Sequence, residues 1–506
     1  MRKFFQFFSL TILTQGVLAL NQIVLLPIQI RIWGQASTAY WCATFALASI
    51  ISVSDLGLRT AGHLELMRYA HNPADERAKT EFQHLWAWIR ILICVATITL
   101  IALDLLYNCL YAKTSYPLWR AALTIGVALE TILCARIMYL DSLELYREAE
   151  AGYLFLAAAR FCLAIGALIF FHSPPDTLAW IWCFTGIFAI AYQSKLCRRI
   201  GLLRLLEPMP PRLSLRTLAI ALHTMADPAS NWVRNSVPVL VLSAVAQPVA
   251  VITYVALRSV FGAARQTIQQ LSRYASVQYL SLRQPHNMSV AEVRLTLCVL
   301  FMAFFASVLT CIVIADNFRL ASFWLVRSDG TLYQAIAITF GLASPFYVYE
   351  IVQALMRRCG KVREIARRQY LYIISLVIFA AITLLTKSVL LWLVLILVAD
   401  VMISFSFMLR TAGTPTSPGV RGSLAALASA FLSAGLWLLV RFGPLDFLHQ
   451  STTSAIACTL ALLSLWTLVI AAVYLYIAHD LLPNARTLAG SVLGALFNGR
   501  SAETAK

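Results

Sequence analysis

Apolar residues run along this chain in long unbroken stretches, and polar residues gather in short intervals between them. Fourteen stretches are long enough to cross a bilayer, near 7–30, 37–56, 86–107, 118–140, 152–171, 177–194, 217–244, 248–271, 293–315, 332–356, 370–386, 389–409, 423–441 and 455–478. Each reads as a helix, because in lipid a segment must satisfy its own backbone hydrogen bonds. The continuous runs lack the alternation a membrane barrel needs. The expected fold class is an all-α polytopic membrane protein of about 14 transmembrane helices.

Composition agrees with that pattern. Of the 506 residues 60% are hydrophobic and only 12% are charged, about half the charged share of a soluble domain. Yet the net charge is +17, so the position of the basic residues matters more than their number. If the first span runs from inside to outside, about 27 of the 40 Lys and Arg fall in cytoplasmic loops and termini, as the positive-inside rule requires. One cluster holds Lys195, Arg198, Arg199, Arg204, Arg212 and Arg216; another holds Arg357, Arg358, Lys361, Arg363, Arg367 and Arg368. Arg2 and Lys3 precede the first span, which is too long for a signal-peptide core and reads as an uncleaved helix with a cytoplasmic N-terminus. The C-terminus is expected on the same side.

The loops exclude several functions. None is long enough for a soluble catalytic domain, and no GxxxxGK[ST] phosphate loop occurs. An enzyme and an ATP-driven pump are therefore not expected. The basic charge follows topology and points to no nucleic-acid partner. The 11 cysteines are scattered, without metal-ligand spacing; no metal or cofactor is expected.

The segment 195–216 mixes basic residues with Leu202, Leu203, Leu205 and Leu206 and ends at Pro208, Pro210 and Pro211. It reads as an amphipathic cytoplasmic linker. It divides the chain into a six-helix bundle over 1–194 and a second over 217–409, followed by two extra helices and a cytoplasmic tail over 410–506. A short turn at Trp33–Gly34–Gln35 in the first half is echoed by Ala246–Gln247–Pro248 in the second. Internal repeats of this kind place a substrate site near the midplane.

Polar residues inside the spans carry the candidate chemistry, since each is costly in lipid. In the seventh span Asp227, Asn231 and Arg234 share one helical face, with Asn235 beside them. Pro228 and Pro238 each remove a backbone hydrogen bond, so this helix is expected to be kinked or broken there. In the eighth span Arg258, Gly262, Arg265 and Gln269 form a stripe. Arg258 and Arg234 lie about equally far from the turn joining their antiparallel helices, so at about 1.5 Å per residue they share a depth. Guanidinium groups suit bidentate phosphate contact. The first half adds Asn21, the spaced pair Asp55 and Arg59, Glu130 and Arg136 in the fourth span, and Arg160 in the fifth. For Asp55 and Arg59 an intrahelical ion pair is the plainer reading. Glu350 and Asp400 are lone carboxylates in the tenth and twelfth spans. Asp55, Glu130, Glu350 and Asp400 stand either as coupling or as structural carboxylates.

Residues 31–65 read RIWGQASTAYWCATFALASIISVSDLGLRTAGHLE. A glycine turn, a Tyr–Trp pair, an apolar helix and then Ser54–Asp55–Leu56–Gly57–Leu58 resemble the opening of Wzx-like oligosaccharide flippases. These belong to the multidrug/oligosaccharidyl-lipid/polysaccharide (MOP) exporter superfamily. Residues 236–272 resemble the start of that family's second half. The resemblance implies a V-shaped pair of six-helix bundles around a central cavity, with two further C-terminal helices as in lipid II flippases. It also implies an activity: moving an undecaprenyl-pyrophosphate-linked oligosaccharide across a bacterial inner membrane by alternating access, for surface polysaccharide synthesis. Arg234, Arg258 and Arg265 would then contact phosphate. Asp227, Asn231, Asn235, Gln269, Asn21 and Arg59 would line the polar path. The partners implied are the lipid-linked glycan, the bilayer, and a glycan polymerase with other polysaccharide-assembly proteins. A coupling ion, H+ or Na+, stays open. The alternatives are a lipid II-type flippase and a cation-coupled small-molecule exporter of the same superfamily.

Overall fold

A computed structural model describes residues 2–72, 75–112, 118–143, 145–199, 210–212, 215–262, 265, 330–349, 353, 362–410, 424–425 and 428. All regular structure among them is helical. The helices are α1 (Arg2–Ala48), α2 (Leu58–His71), α3 (Glu76–Tyr107), α4 (Leu118–Ser142), α5 (Tyr146–Phe171), α6 (Pro175–Arg199), α7 (Leu215–Val245), α8 (Pro248–Gly262), α9 (Gly330–Ala343), α10 (Val362–Thr386) and α11 (Val389–Arg410). Six helical stretches among the described residues are long and apolar enough to cross a membrane. Together with exposed Phe170, Phe171 and Leu385, they describe a multi-pass membrane protein.

The first two expected spans meet where the sequence places a turn. Gly34 interrupts α1 with φ 78° and ψ 170°. The α7–α8 turn at Ala246 and Gln247 is likewise as expected, with Pro248 opening α8. The ninth, thirteenth and fourteenth spans lie almost wholly outside the described residues, as do the inner end of the eighth and most of the linker 195–216. Residues 195–199 of that linker belong to α6, and 215–216 to α7.

Two expectations need correction. The second span is not one helix to residue 56. It leaves α geometry at Ala48, continues as a 3-10 turn over Ser49–Val53, and breaks at Leu56 (φ 51°) and Gly57 (φ 79°). The interval 57–85, read as a loop, then holds α2 and the first turns of α3. Conversely, α7 stays helical through Pro228 and Pro238. A proline removes one N–H and crowds one carbonyl, and here flanking contacts hold the turns on either side. The discontinuity expected in α7 instead lies in the segment packed against it.

The chain divides into two compact units. The first comprises 1–263, 321–332 and 362–392; the second comprises 264–320, 333–361 and 393–506. In the first, α4 packs along α6, α1 along α5, and α10 along α7. One core there joins Phe82, Trp86, Ile89 and Ile93 of α3 to Leu58 and Leu66 of α2 and Tyr139 of α4. A second stacks Trp41 on Trp119 at 5.7 Å, with Trp182 edge-on at 6.4 Å. In the second unit, α9 from Tyr333 onward runs into a 3-10 turn over Ser344–Val348.

Candidate functional site

The site is built around α7. Asp227, Asn231 and Arg234 are half-buried on the face their spacing assigns, and Asn235 beside them is exposed. The Arg234 guanidinium lies 4.4 Å from the ring centroid of Tyr372, and its Nε donates to the Tyr372 hydroxyl at 2.9 Å. Tyr372 is fully buried on α10, so this aromatic platform fixes where the charge sits.

Arg258 reaches the same level of α7 from α8. Its Nη1 donates to the backbone carbonyl of Asn235. Pro238 has no N–H for the carbonyl of Arg234, four residues earlier, which loosens the backbone ladder at this point. Arg258 thus meets α7 at the residue next to Arg234, while the Arg234 guanidinium is held on Tyr372.

The broken segment docks on the other side of α7. Gly57 lies so close that a Cβ there would stand 2.2 Å from the Ala221 carbonyl oxygen and 2.4 Å from the Met225 nitrogen. Thr224 Oγ1 donates to the Gly57 carbonyl at 2.9 Å. Higher up, Ser49 Oγ lies 2.8 Å from Ser236 Oγ and accepts from Trp232 Nε1 at 3.1 Å. Asp55, 1% exposed, pairs with Arg59 at 3.2 Å, and Arg59 Nη2 donates to the Ser52 carbonyl at 3.1 Å. The pair is thus not a surface feature of one continuous helix. It staples the end of one helical segment to the start of the next, neutralising a buried carboxylate and satisfying a carbonyl that the break exposes.

The remaining candidates separate. Glu130 is ion-paired with buried Arg160, which also donates to Thr185 Oγ1 at 3.2 Å and lies 4.9 Å from the Trp182 ring centroid. Arg136 turns to α6, donating to Ser194 Oγ at 2.7 Å. Asn21 is half-buried on α1, and its side-chain carbonyl has no hydrogen-bond partner. Arg265 belongs to the second unit, where its Nη2 donates to Tyr349 Oη at 3.3 Å and it lies 5.8 Å from the Tyr347 ring centroid. Asp400 is buried on α11. Gln269 and Glu350 lie outside the described residues. His223 on α7 is exposed. Sequence reasoning did not find Tyr372, Ser49, Ser236 or Thr224. The SDLGL stretch was the one signal for the last of these contacts, since glycine there marks a close approach.

No family model matches the chain, and no curated relative matches it. Solved structures do. Lipid II flippase MurJ, in an inward closed conformation, aligns at TM-score 0.59 and 13% identity, over 94% of this chain and 99% of that one. A MOP superfamily transporter from Pyrococcus furiosus aligns at TM-score 0.51 and 12% identity, over 84% and 96%. This chain has the MOP transporter fold. At such identity the likeness is one of fold, and the chemistry must come from the chain's own residues. On this scaffold α7 and α8 carry arginines set on buried aromatic or backbone partners.

Proposed function

We propose that this protein is a flippase that moves an undecaprenyl-pyrophosphate-linked oligosaccharide across the bacterial inner membrane, without covalent chemistry. The observation that carries the reading is the pair of arginines on adjacent helices, Arg234 seated on Tyr372 and Arg258 on the carbonyl of Asn235, the next residue of α7. A bare diphosphate in hydrocarbon is prohibitively costly. Two guanidiniums on adjacent helices offset that cost through charge-assisted hydrogen bonds. Asp227 and Asn231, on the same face of α7, supply polar groups for sugar hydroxyls. The polyprenyl tail stays in lipid, so only the head group needs a polar path. Release then requires that access alternate between the two sides. No covalent bond is made or broken, so the residues act by binding and orientation.

A lipid II-type flippase is the second reading, favoured by the near full-length alignment to MurJ. It shares the diphosphate chemistry and differs in the glycan. A cation-coupled exporter would favour carboxylates where this chain places Arg234 and Arg258. The test is a strain carrying only Arg258→Ala at wild-type abundance. It should accumulate lipid-linked glycan in the inner leaflet, with surface glycan reduced at least about tenfold, the effect of losing one charge-assisted contact. Normal surface glycan would contradict the reading. The mass of the accumulated lipid distinguishes the two flippase classes.

A further inference from the structure

A second pair of arginines stands apart from α7. Arg90 of α3 and Arg136 of α4 both lie against Trp86, at 5.6 and 5.9 Å from its ring centroid. Neither has a carboxylate partner among the described residues, unlike Arg59, Arg120 and Arg160. The Nε atoms of both are buried without a hydrogen-bond partner. Arg136 donates to Ser194 Oγ at 2.7 Å and more weakly to the Ile190 carbonyl at 3.4 Å.

This arrangement is unbalanced as it stands. Two like charges beside one buried ring repel each other. Cation–π attraction, about 0.5–2 kcal/mol each, falls short of the several kcal/mol it costs to take an ion out of water. An anion between the two guanidiniums would restore the balance. The surroundings indicate which anion. α3 and α6 both pack on α4, and these helices carry exposed Ile91 and Val95, and Phe184, Phe188 and Tyr192, an apolar surface suited to lipid tails. In the spans read from sequence, 86–107 and 118–140, Arg90 lies four residues from the start and Arg136 four from the end, although α3 itself begins at Glu76 and α4 ends at Ser142. On those spans both are toward one membrane face, where a long guanidinium side chain can reach a headgroup. By the positive-inside rule that face is the cytoplasmic one, where anionic lipids collect in basic pockets between helices.

We propose that Arg90, Arg136 and Ser194 hold the phosphate of an anionic phospholipid in the cytoplasmic leaflet, on the flank of the first unit. This site is separate from Arg234 and Arg258 and does not depend on the function assigned to them. The test uses the full-length protein in nanodiscs of mixed phosphatidylglycerol and phosphatidylcholine, read by native mass spectrometry after release. The wild-type protein should retain phosphatidylglycerol in preference to phosphatidylcholine. Arg90→Gln with Arg136→Gln should lower that retention about tenfold or more, while Arg90→Lys with Arg136→Lys should keep most of it. Equal retention of the two lipids, or no change in the Gln variant, would overturn the proposal. A photoreactive residue in place of exposed Ile91 gives a reading that leaves both arginines intact. Crosslinks mainly to phosphatidylglycerol support the site; crosslinks mainly to phosphatidylcholine or to a polyprenyl diphosphate refute it.

Discussion

Gly57 shows how one residue determines a contact between helices. Its φ of 79° lies in the region that costs a residue with a side chain about 1–2 kcal/mol. The backbone of α7 also leaves no room for a Cβ. Gly57→Ala should therefore lower the melting temperature of the purified protein and weaken the α2–α7 contact, by about 2–4 kcal/mol if the break cannot relax. An unchanged melting curve would mean that the segment moves away at little cost. At the same scale, Tyr372→Phe keeps the ring beneath Arg234 and removes the hydroxyl that accepts from its Nε. It should weaken diphosphate binding only several-fold, whereas Arg234→Ala should abolish most of it; both are read by equilibrium binding to the purified protein. The sequence made these roles legible unevenly. Arg234 and Arg258 stood out because charge inside an apolar run is rare. Tyr372 did not, because a tyrosine in an apolar run looks the same whether it is packing or platform.

Among the elements, helix existence was readable from apolar length, and helix continuity was not. Prolines in α7 suggested a break, yet α7 remains helical beside α10. The break falls at Ser49–Gly57, where no proline occurs and the signal was only Asp–Leu–Gly. Propensity describes the isolated segment, while packing decides which segment gives way. The Glu130–Arg160 pair linking α4 to α5 makes a related prediction. Arg160 is buried and Glu130 about 29% exposed. Arg160→Met alone leaves a carboxylate without its cation and should cost about 3–5 kcal/mol, while Glu130→Met with Arg160→Met should cost much less. Denaturation in detergent checks it; equal losses in the single and double variants would show that packing, not charge pairing, sets the cost.

For the whole molecule, the all-helical membrane architecture followed from composition and run length, and the match to MurJ over almost the full chain agrees with it. What pattern could not supply was the assortment of helices. The stretch 362–392 lies in the same unit as α1–α8, while Arg265 lies in the other. Residues close in sequence, such as Arg258 and Arg265, are therefore placed in different units, because helix packing follows tertiary contacts instead of chain order. The positive-inside rule reads most of the net charge of +17 as topological, and the functional account rests on the few arginines within the spans. The central claim is that Arg234 and Arg258 recognise a diphosphate. The most direct measurement is equilibrium binding of the purified protein to a polyprenyl-diphosphate-linked oligosaccharide and to the same glycan on a polyprenyl alcohol. The account predicts at least about a tenfold preference for the diphosphate, lost in Arg234→Ala with Arg258→Ala. Equal binding of the two lipids, or a preference that survives the double substitution, would contradict it.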